Sequence, residues 1–384
     1  MVQIQNKKQN IPTGWQESKL LDCLRIPSKL AGIKLSEYEK EGDFPVFDQG
    51  QDYISGFSSN KGLVVNDLPA ILFGDHTRIV KYIRSPFVVG ADGTKIFWAK
   101  DGFDSTFLYY LVLKQKIPNT GYNRHFKFFK DIKVLVPESK KEQQKIAEIL
   151  GTVDEDIAKT QEVIEATEKL KRGLMQQLFT RGLDDGISEL ELGKISKVTS
   201  SKRIMRSEYV ENGVPFYRSK EIIEKAKGIK HDSIFYISQE RFDEIEKKFG
   251  APHIGDILIT AVGTIGVVYL VDEEGFYFKD GNLLWIKDID KSLDKSYLKY
   301  YMNSEIFQKR VLGTAIGSNQ KALTIEKVEK VIVPIPKLPE QQKIAEILSA
   351  VDEKISVNKE LKGKLILLKK GLMSDLLSGN VRVN

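Results

Sequence analysis

Two long stretches of the chain carry apolar residues at alternating three- and four-residue steps. In the first they fall at Ile146, Leu150, Val153, Ile157, Ile164, Leu174 and Leu178, and the steps between pass through polar Thr160, Thr167 and Lys171. In the second they fall at Ile344, Leu348, Val351, Ile355, Leu365, Leu372 and Leu376, with Asn358 as a polar residue at the same phase. That period belongs to one face of an α-helix. Acidic residues open each stretch, Pro339 precedes the second, and Gly182 and Gly379 stand where the helices should stop. Each helix is expected to run roughly 37 residues, about 55 Å at ~1.5 Å per residue. A seam of this length needs an apolar partner of matched length, so the two helices are expected to pair with each other through these positions.

The two stretches are copies. "EQQKIAEIL" at residues 142–150 returns letter for letter at 340–348, and "LKRGLM" from Leu170 returns as "LKKGLM" from Leu368, both at an offset of 198 residues. What lies between is duplicated more weakly: "GDFPVF" before "NGVPFY", "ADGTKIFWAKDG" before "KDGNLLWIKDID", "FLYYLV" before "YLKYYM", and "IKVLVP" before "EKVIVP". The order is therefore globular unit (1–137), helix (138–183), globular unit (184–336), helix (337–384). An internal pseudo-twofold would make the helices antiparallel and bring their midpoints, Thr160 and Asn358, together as a buried polar pair that fixes register.

The globular units read differently. β-branched and aromatic runs such as "PAILFGDHTRIVKYI", "SPFVVG", "DILITAVGTIGVVYLV" and "GFYFKDGNLLWIK" are bounded by Gly, Pro, Asp and Asn, as strands and tight turns are. The fold class is α+β, each unit a mixed α/β domain with a twisted sheet. Short helices are expected at 107–116 and 296–310, and Pro137 and Pro334 close the units ahead of the long helices.

Composition narrows the function. A chain of 384 residues with 41% hydrophobic content can bury two cores, and 29% charged residues with no apolar run of ~20 exclude a membrane-spanning class. The opening "MVQIQNKKQNIPTGW" lacks the apolar core of a secretory signal and Cys23 is the only cysteine, so a cytoplasmic location without disulfides is expected. Cys23, in "LLDCLRI", reads as a small buried hydrophobe. Residues 1–141 hold 21 Lys/Arg against 15 Asp/Glu, the whole of the net +6, which suits a nucleic-acid partner.

Catalytic motifs are missing. No Pro-Pro occurs, so there is no Asn/Asp-Pro-Pro-Tyr loop to hold a flipped adenine, and no phosphate-binding loop ends in Gly-Lys-Ser/Thr. His76, His125, His231 and His253 lack zinc-ligand spacing. The nearest approach to a Mg²⁺ set is Asp232, Glu246 and Lys248, but "SQERFDEIEKKFG" carries its charges as a solvated helix face does. No catalytic residue and no metal or cofactor site is assigned to this chain.

The order of globular unit and "EQQKIAEIL" helix, twice over, resembles the specificity (S) subunit of type I restriction-modification enzymes, the HsdS family. The resemblance covers nearly the whole chain. "LFGDHTRIVKYIRSPFVVGADGTK" is similar to one class of target recognition domain in that family and "GDILITAVGTIGVVY" to another. The resemblance implies that each globular unit reads half of a bipartite site on double-stranded DNA, while the paired helices act as spacer and docking surface. It also implies two methyltransferase (M) subunits and ATP-driven restriction (R) subunits as partners, with S-adenosylmethionine, ATP and Mg²⁺ used by those partners. Two alternatives stay open: an S-like subunit of a type IIB system, and a coiled-coil scaffold that binds no DNA.

For DNA contact, donors and cations in turns beside strands are the candidates. In the first unit these are His76, Thr77, Arg78 and Lys81, then Tyr122, Asn123, Arg124, His125 and Lys127. In the second they are Lys202, Arg203, Arg206, Arg218, Ser219 and Lys220, then Ser318, Asn319, Gln320 and Lys321. "TGYNRHFK" and "TAIGSNQK" occupy the same repeat position, after each unit's helix and before its closing strand. Asp92-Gly93 and Asp280-Gly281 read as turns rather than contacts.

Overall fold

A computed structural model describes residues 11–27, 30–180, 187–229, 231, 234–313 and 322–383. The chain forms two compact units, one of residues 1–161 with 359–384 and one of residues 162–358. The first long helix, Lys140–Thr180, has 41 residues and the second, Leu338–Leu376, has 39, so both run slightly past the expected length. Each unit owns half of each helix. Gly182 lies outside the described residues, whereas Gly379 ends the second helix at φ +72, a conformation that costs glycine little.

In the first unit a two-stranded antiparallel ribbon, Trp15–Lys19 with Lys133–Pro137, lies beside a four-stranded sheet ordered Leu24–Arg25, Thr94–Ala99, Ala70–Gly74, Val80–Ile83. A further sheet is ordered Gly32–Ile33, Phe87–Gly90, Phe44–Phe47, Gly56–Ser58, with Val64–Val65 also on Phe87–Gly90. In the second unit the ribbon is Ser188–Glu191 with Ile332–Ile335. Its four-stranded sheet is ordered Lys197–Thr199, Leu283–Lys287, Ile257–Thr260, Val268–Leu270. The third sheet there is Tyr209–Val210, Phe235–Ile237, Val214–Tyr217, Tyr277–Phe278. The weak repeats "FPVF" and "VPFY" are thus equivalent strands, each with a parallel neighbour later in its unit.

The strong repeat is explained by contacts made twice. Gln143, almost fully buried, accepts from the Asp104 N–H (2.8 Å) and donates to the Pro137 carbonyl (2.9 Å). Gln341, 198 residues on, accepts from the Asp294 N–H (2.8 Å) and donates to the Ser292 and Pro336 carbonyls (2.9 and 2.8 Å). Asp154 accepts from the Tyr110 hydroxyl (2.7 Å) and pairs with Lys369 (2.5 Å). Asp352 accepts from the Tyr300 hydroxyl (3.0 Å) and pairs with Lys171 (2.6 Å). Each ion pair joins one long helix to the other within its own unit, and both units give the helices the same antiparallel sense.

Part of the expected helix seam does two jobs. Ile146 and Leu150 cluster with Leu372 and Leu376 of the other long helix, and Ile344 and Leu348 with Leu174 and Leu178. Ile146 and Leu150 also pack into the first unit's globular core with Phe107, Leu111 and Phe129, and Ile344 and Leu348 into the second's with Tyr297, Tyr301 and Phe307. Val153, Ile164 and Ile355 are buried, while Ile157, Leu174, Val351, Leu365 and Leu372 are half-buried. The polar residues expected at the helix midpoints both bond locally. The Thr160 hydroxyl donates to the Asp156 carbonyl (2.6 Å) and the Asn358 amide to the Lys354 carbonyl (2.7 Å), one turn back in their own helices.

The short helices also differ in detail. The first spans Ser105–Lys114, and the one expected at 296–310 is two, Lys295–Met302 and Glu305–Gly313. Ser304 divides them, its hydroxyl accepting from the Phe307 N–H (3.3 Å) as a cap does. Cys23 is buried, which pushes its thiol up to about 11. No helix among the described residues is long and apolar enough to cross a membrane.

Candidate nucleic-acid interface

In the first unit the turn after strand Ala70–Gly74 is closed by two backbone bonds, Arg78 N–H to Gly74 O (2.7 Å) and Gly74 N–H to Ile79 O (2.8 Å), with Arg78 at φ +64. Buried Asp75 ties this turn to the segment from Thr120 to Phe126. Its carbonyl accepts from the His125 N–H (2.8 Å) and lies 2.8 Å from His125 Nδ1, and its carboxylate accepts from the Phe126 N–H (2.7 Å). The two segments then present a stack: the His76 and Tyr122 rings lie 4.6 Å apart and 8° from parallel, with Tyr122 86% exposed. Thr77, Asn123, Arg124 and Lys127 are exposed on the same two segments.

Three candidates of this unit are fasteners instead. His125 is fully buried between Asp75 and Thr120, so its ring cannot reach a groove. Lys81 is buried and donates to the Asp52 carbonyl, 4.0 Å from Asp48; burial pulls its pKa down, against the pull of Asp48 and Asp52. Arg78 is half-buried and donates to the Ile117 carbonyl (3.3 Å). Asp75, which holds the cluster together, was missed; its signal was an acid inside an otherwise cationic turn, "GDHTRIVK".

In the second unit Arg203, Arg206 and Arg218 converge on one concavity of about 630 Å³ with Tyr209, Phe235 and Lys279. Arg218 lies 4.4 Å over the Phe235 ring and donates twice to Glu221 (2.6 and 3.1 Å). Burial pushes the Glu221 carboxyl up, but hydrogen bonds from Arg218 outweigh it and hold the carboxyl below its usual range. Arg203 pairs with Asp280 (2.9 Å), so the Asp280-Gly281 turn, with Gly281 at φ +70, borders the concavity. Lys202 lies over Phe249 (4.5 Å), outside it. Ser219 donates to the Asn282 carbonyl (3.4 Å) and Lys220 pairs with Glu224 (3.6 Å), so neither joins the cluster. Ser318, Asn319, Gln320 and Lys321 lie outside the described residues, as does Asp232.

Guanidinium groups beside aromatic faces can hold phosphates and stack on bases. A protein with an exposed His–Tyr stack on one α+β unit and an arginine–aromatic cluster on the other has the layout of a two-part nucleic-acid reader. The family model for the type I restriction modification DNA specificity domain matches residues 12–168 and again 185–366, and the chain belongs to that family. It is 25% identical to the type I restriction enzyme MjaVIII specificity subunit of Methanocaldococcus jannaschii, over 97% of this chain and 94% of that protein. It is 34% identical to a putative type I restriction enzyme specificity subunit of Haemophilus influenzae, over 43% of this chain and 40% of that one. The fold matches the S subunit of a type I restriction-modification system from M. genitalium, with a TM-score of 0.66 and 18% identity across 98% of both chains. A chain from a structural study of type I complex assembly matches at a TM-score of 0.58 and 15% identity, over 97% of this chain and all of that one.

Proposed function

We propose that this chain is the DNA sequence-specificity subunit of a type I restriction-modification complex, each globular unit reading one half of a bipartite duplex site. The observation that supports this reading best is the pairing of one repeated frame with two unlike cationic and aromatic clusters. The frame anchors both units by the same Gln, Tyr, Asp and Lys contacts, whereas the clusters share no residue pattern. In this reading the long helices set the spacer and dock two methyltransferase subunits, and restriction subunits join them. Methyl transfer from S-adenosylmethionine and ATP- and Mg²⁺-dependent cleavage belong to those partners, and the chain itself is non-catalytic and cytoplasmic. Purified chain supplied with S-adenosylmethionine and duplex DNA is expected to bind DNA without methylating it; methyl transfer by the chain alone would overturn that part.

The spacer role has its own test. One heptad inserted after Thr160 and one after Asn358 keeps the apolar phase and lengthens each helix by about 10 Å. That equals about three base pairs at ~3.4 Å each, with roughly a third of a turn of added twist. Sequencing modified adenines in cells carrying the lengthened subunit and its methyltransferase is expected to show both half-sites across a spacer longer by about one to three base pairs. The original spacer would show that the helices are not the ruler.

A further inference from the structure

The two units treat the same strand edge differently. In the second, the outward peptide groups of strand Ile332–Ile335 are covered. The Tyr301 hydroxyl (2.7 Å) and the Arg310 guanidinium (2.8 Å) donate to the Ile332 carbonyl, and the Tyr297 hydroxyl donates to the Pro334 carbonyl (2.9 Å). Pro334 has no N–H to offer, and neither has its counterpart in the first unit, Pro137. Such blunting is how proteins keep an edge from recruiting another strand.

The first unit's counterpart, Lys133–Pro137, is covered at Pro137, whose carbonyl accepts from Gln143 (2.9 Å), but not at the two outward residues before it. Bonds from Leu20 N–H to Ile132 O and from Glu138 N–H to Gly14 O fix the ladder's alternation, so Lys133 and Leu135 turn their peptide groups away from the ribbon. Counted from the capping aspartates Asp104 and Asp294, Phe107 and Leu111 stand where the second unit has Tyr297 and Tyr301, and neither has a hydroxyl. Among the described residues no group is hydrogen-bonded to the outward peptides of Lys133 and Leu135. Beside this edge runs a groove of about 890 Å³ with Leu111, Val134, Met373 and Leu377 on its apolar floor. Five lysines line it and no acidic residue does. Lys133 pairs with Glu17 (2.7 Å) and Lys369 with Asp154 (2.5 Å), while Lys116 and Lys370 have no carboxylate partner among the described residues.

We propose that this groove receives an extended segment of a partner polypeptide that alternates acidic and apolar residues, added as a new strand along Lys133–Pro137. Strand addition uses the free peptide groups of an edge. Alternation then sends one set of side chains to the apolar floor and the other to the lysine rim. Duplex DNA would use the lysines but neither the edge nor the floor.

The test uses the full chain and a dye-labelled peptide of about nine residues alternating Glu and Val, with a Lys/Val peptide as control. Fluorescence anisotropy is expected to show saturable, salt-sensitive binding of the acidic peptide alone. Leu135→Pro removes one ladder donor and is expected to weaken binding about tenfold. Lys116→Glu with Lys370→Glu is expected to weaken it several-fold at low salt. No binding, or full binding by a folded Leu135→Pro variant, would overturn the proposal; so would displacement of the peptide by a duplex of ~20 base pairs, which would assign the face to nucleic acid. Should Leu135→Pro not fold, amide exchange in the wild-type chain decides: slowed exchange at Lys133 and Leu135 with peptide supports strand addition, and unchanged exchange overturns it.

Discussion

The two globular units share a skeleton and differ in nearly everything fastened to it. Both hang a helix and a strand ribbon on a buried glutamine and brace the long helices with a tyrosine, an aspartate and a lysine. Away from that skeleton the third sheets, built around the equivalent strands Phe44–Phe47 and Val214–Tyr217, differ in their other strands, and the second unit adds the helices Ser219–Ala226 and Gln239–Phe249. The presented chemistry differs too: a His76 and Tyr122 stack in one, three arginines around Tyr209 and Phe235 in the other. Side chains that hold a frame must recur because their partners are backbone groups at fixed positions. Side chains that face outward are free to diverge, and divergence is what lets one frame read two sequences.

The sharpest way to break the comparison is to remove the shared glutamines. Gln143→Leu leaves the Asp104 N–H and the Pro137 carbonyl unpaired in a buried site, and Gln341→Leu does the same to Asp294 and Pro336. Each is expected to cost about 2–4 kcal/mol, since each buried group left unsatisfied costs roughly 1–3 kcal/mol. Urea unfolding should show like losses for the two variants. A full loss at one site and none at the other would end the equivalence.

A second test separates fasteners from contacts. Lys81→Met is expected to lower the first unit's stability by about 1–2 kcal/mol, because the Asp52 carbonyl loses its donor, while leaving the salt dependence of DNA binding unchanged. Arg206→Ala, at an exposed residue of the cationic concavity, is expected to do the reverse. Melting should not move, and the slope of log affinity against log salt should fall by about one. Equal slopes for wild type and Arg206→Ala would remove Arg206 from the interface.

These residues also mark how far the sequence could be read. The helices and their pairing were legible because an apolar period and a letter-for-letter repeat are local properties. The break at Ser304 was not, since a capping serine inside an apolar run looks like one more polar letter. Lys81 and His125 look like DNA contacts in their turns; what buries them is Asp52 and Asp75, supplied by segments 29 and 50 residues away. Tyr209, Phe235 and Lys279 escaped notice for the same reason: the concavity is assembled from segments that only the fold brings together.

Acid sharpens the contrast further. Glu142 in the first unit and Glu221 in the second are both held below the usual carboxylate range against the upward push of burial, Glu142 by Arg382 and Trp15 and Glu221 by Arg218. A depressed carboxyl contributes stability that is fully present above its unfolded value, ~4.3, and is lost as pH falls through the folded value. Urea midpoints should therefore decline below about pH 4.3, and Glu221→Gln should flatten the second unit's share of that decline. A variant with an unchanged acid limb would mean that Glu221 does not drive it.

The smallest expected effect lies in the paired braces. Lys369 and Asp154 are 17% and 34% exposed, against 25% and 36% for Lys171 and Asp352. Both pairs are partly screened by water, so double-mutant cycles with Lys→Met and Asp→Asn should give about 0.5–1 kcal/mol each, the drier Lys369 pair slightly more. Asn keeps an acceptor for the Tyr110 or Tyr300 hydroxyl, so the cycle isolates charge from hydrogen bonding. Raising salt to ~0.5 M should shrink both couplings, because exposed charges are screened over a few ångströms there. A coupling that ignores salt would mean that the lysine stems, lying 5.4 Å from Tyr110 and 5.5 Å from Tyr300 by their amines, act by packing on the rings, and that the braces are apolar in effect.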